Sequence, residues 1–261
     1  MPGSAPPRIA IPMPHSIDHE YAERALPQYE RAVEQAGGKP VRIPLDQTAS
    51  EVEKIEVLKI IESCDGVLLP GSNADVDPSK FGIPRSPHTA AADRGRDAVD
   101  EILLQDAYKL RKPVLGICYG LQSLNVFRAG SLIQHIPDFL PESLRTKVNH
   151  EAGKKIAVAH TVEIENDSKL GEILGRRDQR TIPVNSSHHQ SADVIGGSLR
   201  ISARCPDDGI IEALEGTASD HFVLAVQWHP ERSVDQDEAS RAIFRALIQA
   251  VKTKAAETRP R

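Results

Sequence analysis

The chain has 261 residues, with 32 Lys and Arg against 37 Asp and Glu, a formal net charge of −5, and 39% hydrophobic residues. That balance excludes disorder as the main state and leaves no excess of positive charge to grip phosphate backbones, so no nucleic-acid partner is expected. No apolar run approaches the ~20 residues of a membrane helix, and prolines in MPGSAPPRIAIPMP stand where a signal peptide would be apolar, so a cytoplasmic chain with no membrane partner is expected.

In chain order, residues 1–7 and 252–261 are expected to be frayed tails around one domain spanning 8–251. Arg8–Pro14 predicts a strand, Pro27–Ala36 a helix opened by proline and stopped at Gly37-Gly38, and Val41–Pro44 a second strand. Glu51–Ser63 places Val52, Ile55, Leu58 and Ile61 on one helical face, and Gly66–Pro70 follows as a buried strand. Residues 71–96 form a long Pro- and Ser-rich excursion of the kind that carries function. A helix capped by Asp97 then runs to about Leu110, with Val114–Ile117 as the next strand and another helix from near Gly120. This alternation predicts an α/β fold with a mostly parallel central sheet flanked by helices, its sites at the carboxyl ends of the strands. The second half adds β-strands at Ile156–Ile164, Ile182–Val184, Leu199–Arg204, Ile210–Leu214 and Phe222–Gln227. A last helix over Asp237–Val251 docks Ile243, Leu247, Ala250 and Val251.

Three cysteines, Cys64, Cys118 and Cys205, are too few and too scattered for a disulfide framework. Cys118 stands apart because Gly116-Ile117-Cys118-Tyr119-Gly120 joins a buried strand to a helix, as in a nucleophile elbow with cysteine for serine. A sharp turn brings backbone so close that side chains two before and two after would collide. The helix start favours thiolate over thiol, and the Tyr119 N–H can bind a developing oxyanion. The alternative is a small core residue, which is the reading for Cys64 and Cys205.

A thiol nucleophile needs a base, and the base needs an orienting group. Among ten histidines, His229 ends the apolar run FVLAVQWHPE, with Glu231 two residues on and on the same side of an extended segment. Glu231 would hold Nδ1 and leave Nε2 for sulfur; a solvated histidine beside a surface glutamate is the alternative. No metal is expected: no H-x-x-x-H or C-x-x-C supplies further ligands, and His188-His189 has no cysteine or carboxylate at ligand spacing.

GICYGLQSLNV (116–126), AGSLIQ (129–134) and AVQWHPE (225–231) resemble the class I glutamine amidotransferase-like superfamily and, within it, the peptidase C26 group of γ-glutamyl hydrolases. LLPGSNADVDPSKFG, DRGRD, VNSSHHQSA and ARCPDDGIIEAL support the subgroup, and the likeness runs from about Arg8 to Val251. It implies the flavodoxin-like fold of that superfamily and a triad of Cys118, His229 and Glu231. It further implies an oxyanion hole shared by the Tyr119 N–H and one from the Gly71-Ser72 loop. Gln122 matches the glutamine that faces the γ-acyl group, with a helix-surface role as the alternative. Ser186 and His188 in NSSHHQ match the wall around the glutamyl end, although His188 could be a satisfied core histidine. Arg96-Asp97 could bind a carboxylate, with Asp97 as a helix cap the favoured role. Tyr119 and Ala129 depart from the Arg and Gly common in the group.

The implied activity is cysteine-dependent hydrolysis of a small γ-glutamyl amide, such as γ-glutamyl-GABA or a γ-glutamyl polyamine, with no cofactor. The alternatives are a glutaminase that passes ammonia to a separate synthase, and a catalytically silent binding module. A homodimer is possible on the resemblance.

Overall fold

The computed structural model describes residues 5–45, 51–152, 157–175 and 180–257. β1 (Arg8–Pro12) pairs in parallel with β2 (Lys39–Ile43) and β3 (Gly66–Leu69). β4 (Val114–Ile117) lies beside β3, and β11 (Val223–Val226) beside β4, again in parallel. Beyond β11, antiparallel strands β10 (Ile211–Gly216), β9 (Leu199–Arg204), β6 (His160–Ile164) and β7 (Thr181–Val184) extend the same sheet. The expected α/β architecture, parallel at its centre and extended by strands of the second half, is therefore the one observed.

Because the central strands are covered on both faces, they read as unbroken apolar runs whose residues alternate between two cores. Ile9, Ile11, Leu68, Leu115, Ile117, Leu224 and Val226 meet α1 (His19–Gln35) and α8 (Glu238–Glu257) on one face. Ala10, Val67, Leu69, Val114, Val223 and Ala225 meet α2 (Glu51–Glu62), α3 (Arg94–Leu110) and α4 (Tyr119–Phe127) on the other. No helix among the described residues is long and apolar enough to cross a membrane.

Several boundaries differ from expectation for identifiable reasons. The first helix starts at His19, capped by Asp18 accepting from the Tyr21 N–H, and carries Pro27 inside it. Pro27 is exposed, so the carbonyl deprived of its donor faces water. On α2 the buried residues are Val57 and Ile61, whereas Ile55 and Leu58 are exposed and the Val52 side chain lies outside the described residues. Four-residue spacing wins over the three-residue spacing because α2 meets its neighbours along a narrow stripe. Asp93, rather than Asp97, caps α3 by accepting from the Arg96 N–H. β6 starts at His160, Ile156 lying outside the described residues. Pro7 is buried and its carbonyl accepts from Lys39 at 2.7 Å, which prolongs the β1–β2 pairing into the expected tail. At the other end α8 continues to Glu257, through six residues expected to be tail.

Candidate active site

Parallel pairing sends β3, β4 and β11 out of the sheet at one edge, where their carboxyl ends lie side by side. Gly71 follows β3, Cys118 follows β4 and His229 follows β11. The β4–β11 register pairs Ile117 with Val226, and the Cys118 N–H donates to the Val226 carbonyl at 2.8 Å. Residues 111 positions apart in sequence (229 − 118) thus become neighbours through the sheet.

Cys118 has φ 53° and ψ −104°, a conformation an L-residue rarely adopts, immediately before the first turn of α4. Such strain persists only where the surroundings over-determine it. Here the flanking glycines let the backbones close. A Cβ on Gly116 would lie 2.8 Å from the Gly120 carbonyl oxygen, and one on Gly120 would overlap the Leu69 carbonyl oxygen. Cys118 retains 5% exposure.

His229 Nδ1 donates to Glu231 Oε1 at 2.7 Å, both side chains being buried. The ring's other nitrogen, Nε2, takes no part in that bond and is left for Cys118, whose sulfur interacts electrostatically with the imidazole. Burial opposes a charge on His229, but the Glu231 carboxylate and the Cys118 sulfur outweigh it and push its pKa up to about 9. Asn185 fixes the backbone from the side: its Nδ2 donates to the His229 carbonyl and its Oδ1 accepts the His229 N–H, each at 2.9 Å. Glu231 Oε1 also lies 3.5 Å from Arg232 Nε, whose guanidinium is held by Ser187 Oγ at 2.7 Å.

Of the Gly71-Ser72 pair, the Gly71 N–H is already engaged, donating to Tyr29 Oη at 3.0 Å. Burial, reinforced by the Glu231 carboxylate, keeps the Tyr29 phenol well above its ordinary pKa and so neutral. Among the described residues the N–H groups of Ser72 and Tyr119 have no intramolecular acceptor. A Cβ on Gly71 would stand 2.9 Å from His229 Cε1 and 3.6 Å from Cys118 Cβ, so this loop closes directly over both groups.

The Tyr119 side chain turns inward. Its hydroxyl donates to Asp97 Oδ1 at 2.6 Å, and the Arg96 guanidinium lies 4.8 Å over its ring. Arg96 is fully buried, bound to Asp100 and to the carbonyls of Pro14 and Pro70. The pair Arg96-Asp97 therefore binds no exogenous carboxylate, and neither does Asp97 cap a helix; together they hold the base of the elbow. Tyr119→Phe is expected to lower stability by about 1–3 kcal/mol, since Asp97 would lose its donor, while turnover changes no more than about threefold. Thermal unfolding together with a rate assay checks this.

Three further expected residues are turned into the protein. Gln122 Nε2 donates to the Gln190 carbonyl at 3.2 Å and to Gln227 Oε1 at 3.4 Å. Ser186 Oγ donates to the His150 carbonyl at 2.6 Å. His188 Nδ1 donates to the Gln190 carbonyl at 2.9 Å, and its Nε2 faces Glu212. The carboxylate absent from the local spacing of His188 is thus supplied through the fold. Sequence reasoning missed Tyr29 and Asn185. Tyr29 reads as one apolar position of a helix and lies 200 residues from His229; Asn185 lay inside a noticed segment, but nothing local marks its backbone clamp.

The peptidase C26 family model matches residues 9–231. A glutamine amidotransferase-like protein of Rickettsia prowazekii is 32% identical, covering 86% of this chain and 88% of its own length. The γ-glutamyl-γ-aminobutyrate hydrolase of Escherichia coli is 32% identical over 96% of each chain. Among solved structures, the glutaminase domain of Trypanosoma brucei CTPS shares the fold with a TM-score of 0.61 at 18% identity, covering 95% of this chain and 94% of that one. With the family model matched across most of its length, the chain belongs to the peptidase C26 family of hydrolases, within the class I glutamine amidotransferase-like superfamily.

Proposed function

We propose that this chain hydrolyses γ-glutamyl amides, with γ-glutamyl-GABA or a γ-glutamyl polyamine as substrate, through a thioester on Cys118. The observation that carries the reading is a sulfur on a strained strand-to-helix turn, under the same Gly71 loop as an imidazole whose Nδ1 is held by a buried carboxylate. The identity with the E. coli γ-glutamyl-γ-aminobutyrate hydrolase supports the substrate class.

In this reaction the Cys118 sulfur attacks the γ-carbonyl carbon as thiolate, and the carbonyl electrons move onto oxygen. The N–H groups of Tyr119 and Ser72 face that oxyanion; such a donor is worth roughly 10²–10³ in turnover. As the tetrahedral species collapses, the C–N bond breaks and the His229 imidazolium gives its proton to the leaving amine. Water then attacks the thioester, His229 takes its proton, and the C–S bond breaks to release glutamate and the thiolate. Glu231 holds the imidazole in the required tautomer throughout.

The proposal is tested by incubating the purified chain with γ-glutamyl-GABA, γ-glutamyl-putrescine and glutamine and measuring glutamate. Release from the first two at least about tenfold faster than from glutamine, in kcat/KM, is expected. Comparable or faster turnover of glutamine would overturn the substrate assignment in favour of a glutaminase.

Protonation of His229 sets a pH limit. Because the leaving amine takes its proton from the imidazolium, kcat/KM is expected to fall as pH rises through about 9. Its folded pKa lies above the ordinary 6.5, so the linked stability is fully present below 6.5 and is lost as pH rises through about 9. Glu231→Gln removes the larger raising influence, so the alkaline limb of the rate profile is expected to move down towards 6.5. Turnover should fall by roughly 10²–10⁴. A limb unmoved in the variant would disprove the role given to Glu231.

A further inference from the structure

Behind the segment that clamps His229, three histidines converge on one buried carboxylate. Glu212 sits in β10 where the register against β9 shifts between Ile211 and Ala213. A bulge of this kind re-aims a side chain, and here Glu212 is fully buried. Its Oε1 lies 3.2 Å from His150 Nδ1, 3.5 Å from His160 Nε2 and 3.5 Å from His188 Nε2. The four residues come from the loop after α6 (Glu142–Arg145), the first position of β6, the segment after β7, and β10.

The outer nitrogen of each ring is engaged by an acceptor. His150 Nε2 donates to Asp208 Oδ2 at 2.8 Å, His160 Nδ1 to the Thr161 carbonyl at 3.0 Å, and His188 Nδ1 to the Gln190 carbonyl at 2.9 Å. Carbonyl and carboxylate oxygens only accept, so each outer nitrogen carries the ring proton and each inner nitrogen of a neutral imidazole presents a lone pair. The three inner nitrogens and both Glu212 oxygens have no hydrogen-bond partner among the described residues. Lone pairs and a carboxylate at such separations repel one another unless positive charge lies between them, and burial magnifies the cost. One added proton would satisfy a single contact and leave the other two rings facing the carboxylate.

The geometry suits a metal ion better. Bonds of ~2.0–2.1 Å in a tetrahedral site put neighbouring ligand atoms ~3.3–3.4 Å apart, close to the observed 3.2–3.5 Å between Glu212 and each ring. All four ligand atoms lie within 4.8 Å of one another, so the rings need approach one another by at most about 1.5 Å to share one tetrahedral ion. The outer hydrogen bonds to a carboxylate and two carbonyls are those that orient metal-bound histidines. A surface cavity of about 350 Å³, bordered by Leu140, Val148, His150 and His188, offers an entry path.

We propose that His150, His160, His188 and Glu212 bind one zinc-type divalent cation in a closed, four-ligand structural site, separate from the Cys118 chemistry. Bound metal would tie the 149–152 loop, β6 and the 185–190 segment to β10. That frame continues to the active site, because Asn185 clamps His229 and the Gln227 N–H donates to the Glu212 carbonyl at 2.7 Å. The inference does not rest on the γ-glutamyl reading.

The test is to strip the purified full-length chain with a chelator, confirm its fold by circular dichroism, and titrate it with Zn²⁺ and with Co²⁺. About one equivalent of Zn²⁺ bound below micromolar concentration is expected, with the intense visible absorption of tetrahedral Co²⁺. Saturating Zn²⁺ should raise the unfolding midpoint by roughly 5–15 °C. Glu212→Gln and His160→Gln should each weaken Zn²⁺ binding by at least about 100-fold, and Cys118→Ala should bind as the parent does. A folded parent chain that takes up no Zn²⁺ at about 50 µM would overturn the proposal whatever the variants do. So would folded Glu212→Gln and His160→Gln chains that keep the parent affinity, or a weak octahedral Co²⁺ spectrum.

Discussion

Replacing Cys118 with alanine is expected to cut turnover of a γ-glutamyl amide by at least about 10⁴ while leaving substrate binding within a few-fold. The sulfur supplies the bond that splits amide hydrolysis into two steps, and no other thiol can substitute. Cys64 and Cys205 are buried, and burial pushes the thiol of Cys205 up to about 12. Alanine removes one small atom and keeps the Cβ, so the elbow should persist. Mass spectrometry adds a direct check: the parent chain, quenched during turnover, should carry a γ-glutamyl adduct on Cys118 that the variant lacks. Hydrolysis at half the parent rate by Cys118→Ala would exclude the thioester route.

Gly120→Ala is expected to be the most damaging of the conservative substitutions near the site. Its Cβ would overlap the Leu69 carbonyl oxygen and come within 2.7 Å of the Leu69 Cβ. That obstacle is largely backbone in a fully buried strand, which cannot rotate aside as the end of a flexible side chain can. Alanine's helix propensity, better than glycine's by about 1 kcal/mol, cannot offset the overlap. Relief requires α4 to move away from β3, and Cys118 lies one residue before α4. A stability loss of about 3 kcal/mol, a midpoint lower by roughly 6–12 °C and a turnover lower by at least about 10²-fold are expected together. Thermal unfolding by circular dichroism and glutamate release measure both. A variant within about 2 °C and twofold of the parent would show that the elbow is less tightly packed than described.

How much of the site could be read along the chain depends on whether a residue's role is local. The elbow was legible because its requirement is local: two glycines around one cysteine, with a buried strand before and a helix after. The His229-Glu231 pairing was legible from their closeness along the chain, but the extended segment expected there is instead a single 3-10 turn, Pro230–Arg232, and Glu231 reaches Nδ1 from within it. Gln122, Ser186 and His188 match a family pattern, yet in the structure they donate to Gln190, Gln227 and the His150 carbonyl inside the protein, and His188 Nε2 only faces Glu212. Motif likeness located the right segments but carried no information on which way each side chain turns. Tyr119 shows the same limit, because its inward path depends on Arg96 and Asp97 from another helix.

By itself the sequence determined the alternating strands and helices, the apolar runs of a sheet covered on both faces, the glycine-flanked cysteine and the paired histidine and glutamate. Each of these follows from backbone sterics or side-chain periodicity over a few residues. Only the tertiary structure decided that β4 and β11 are neighbours, that Tyr29 takes the Gly71 N–H, that Asn185 holds His229, and that His150, His160 and His188 surround Glu212. Those relations depend on strand order and on a bulge in β10, and each joins residues whose separation along the chain bears no relation to their distance in space.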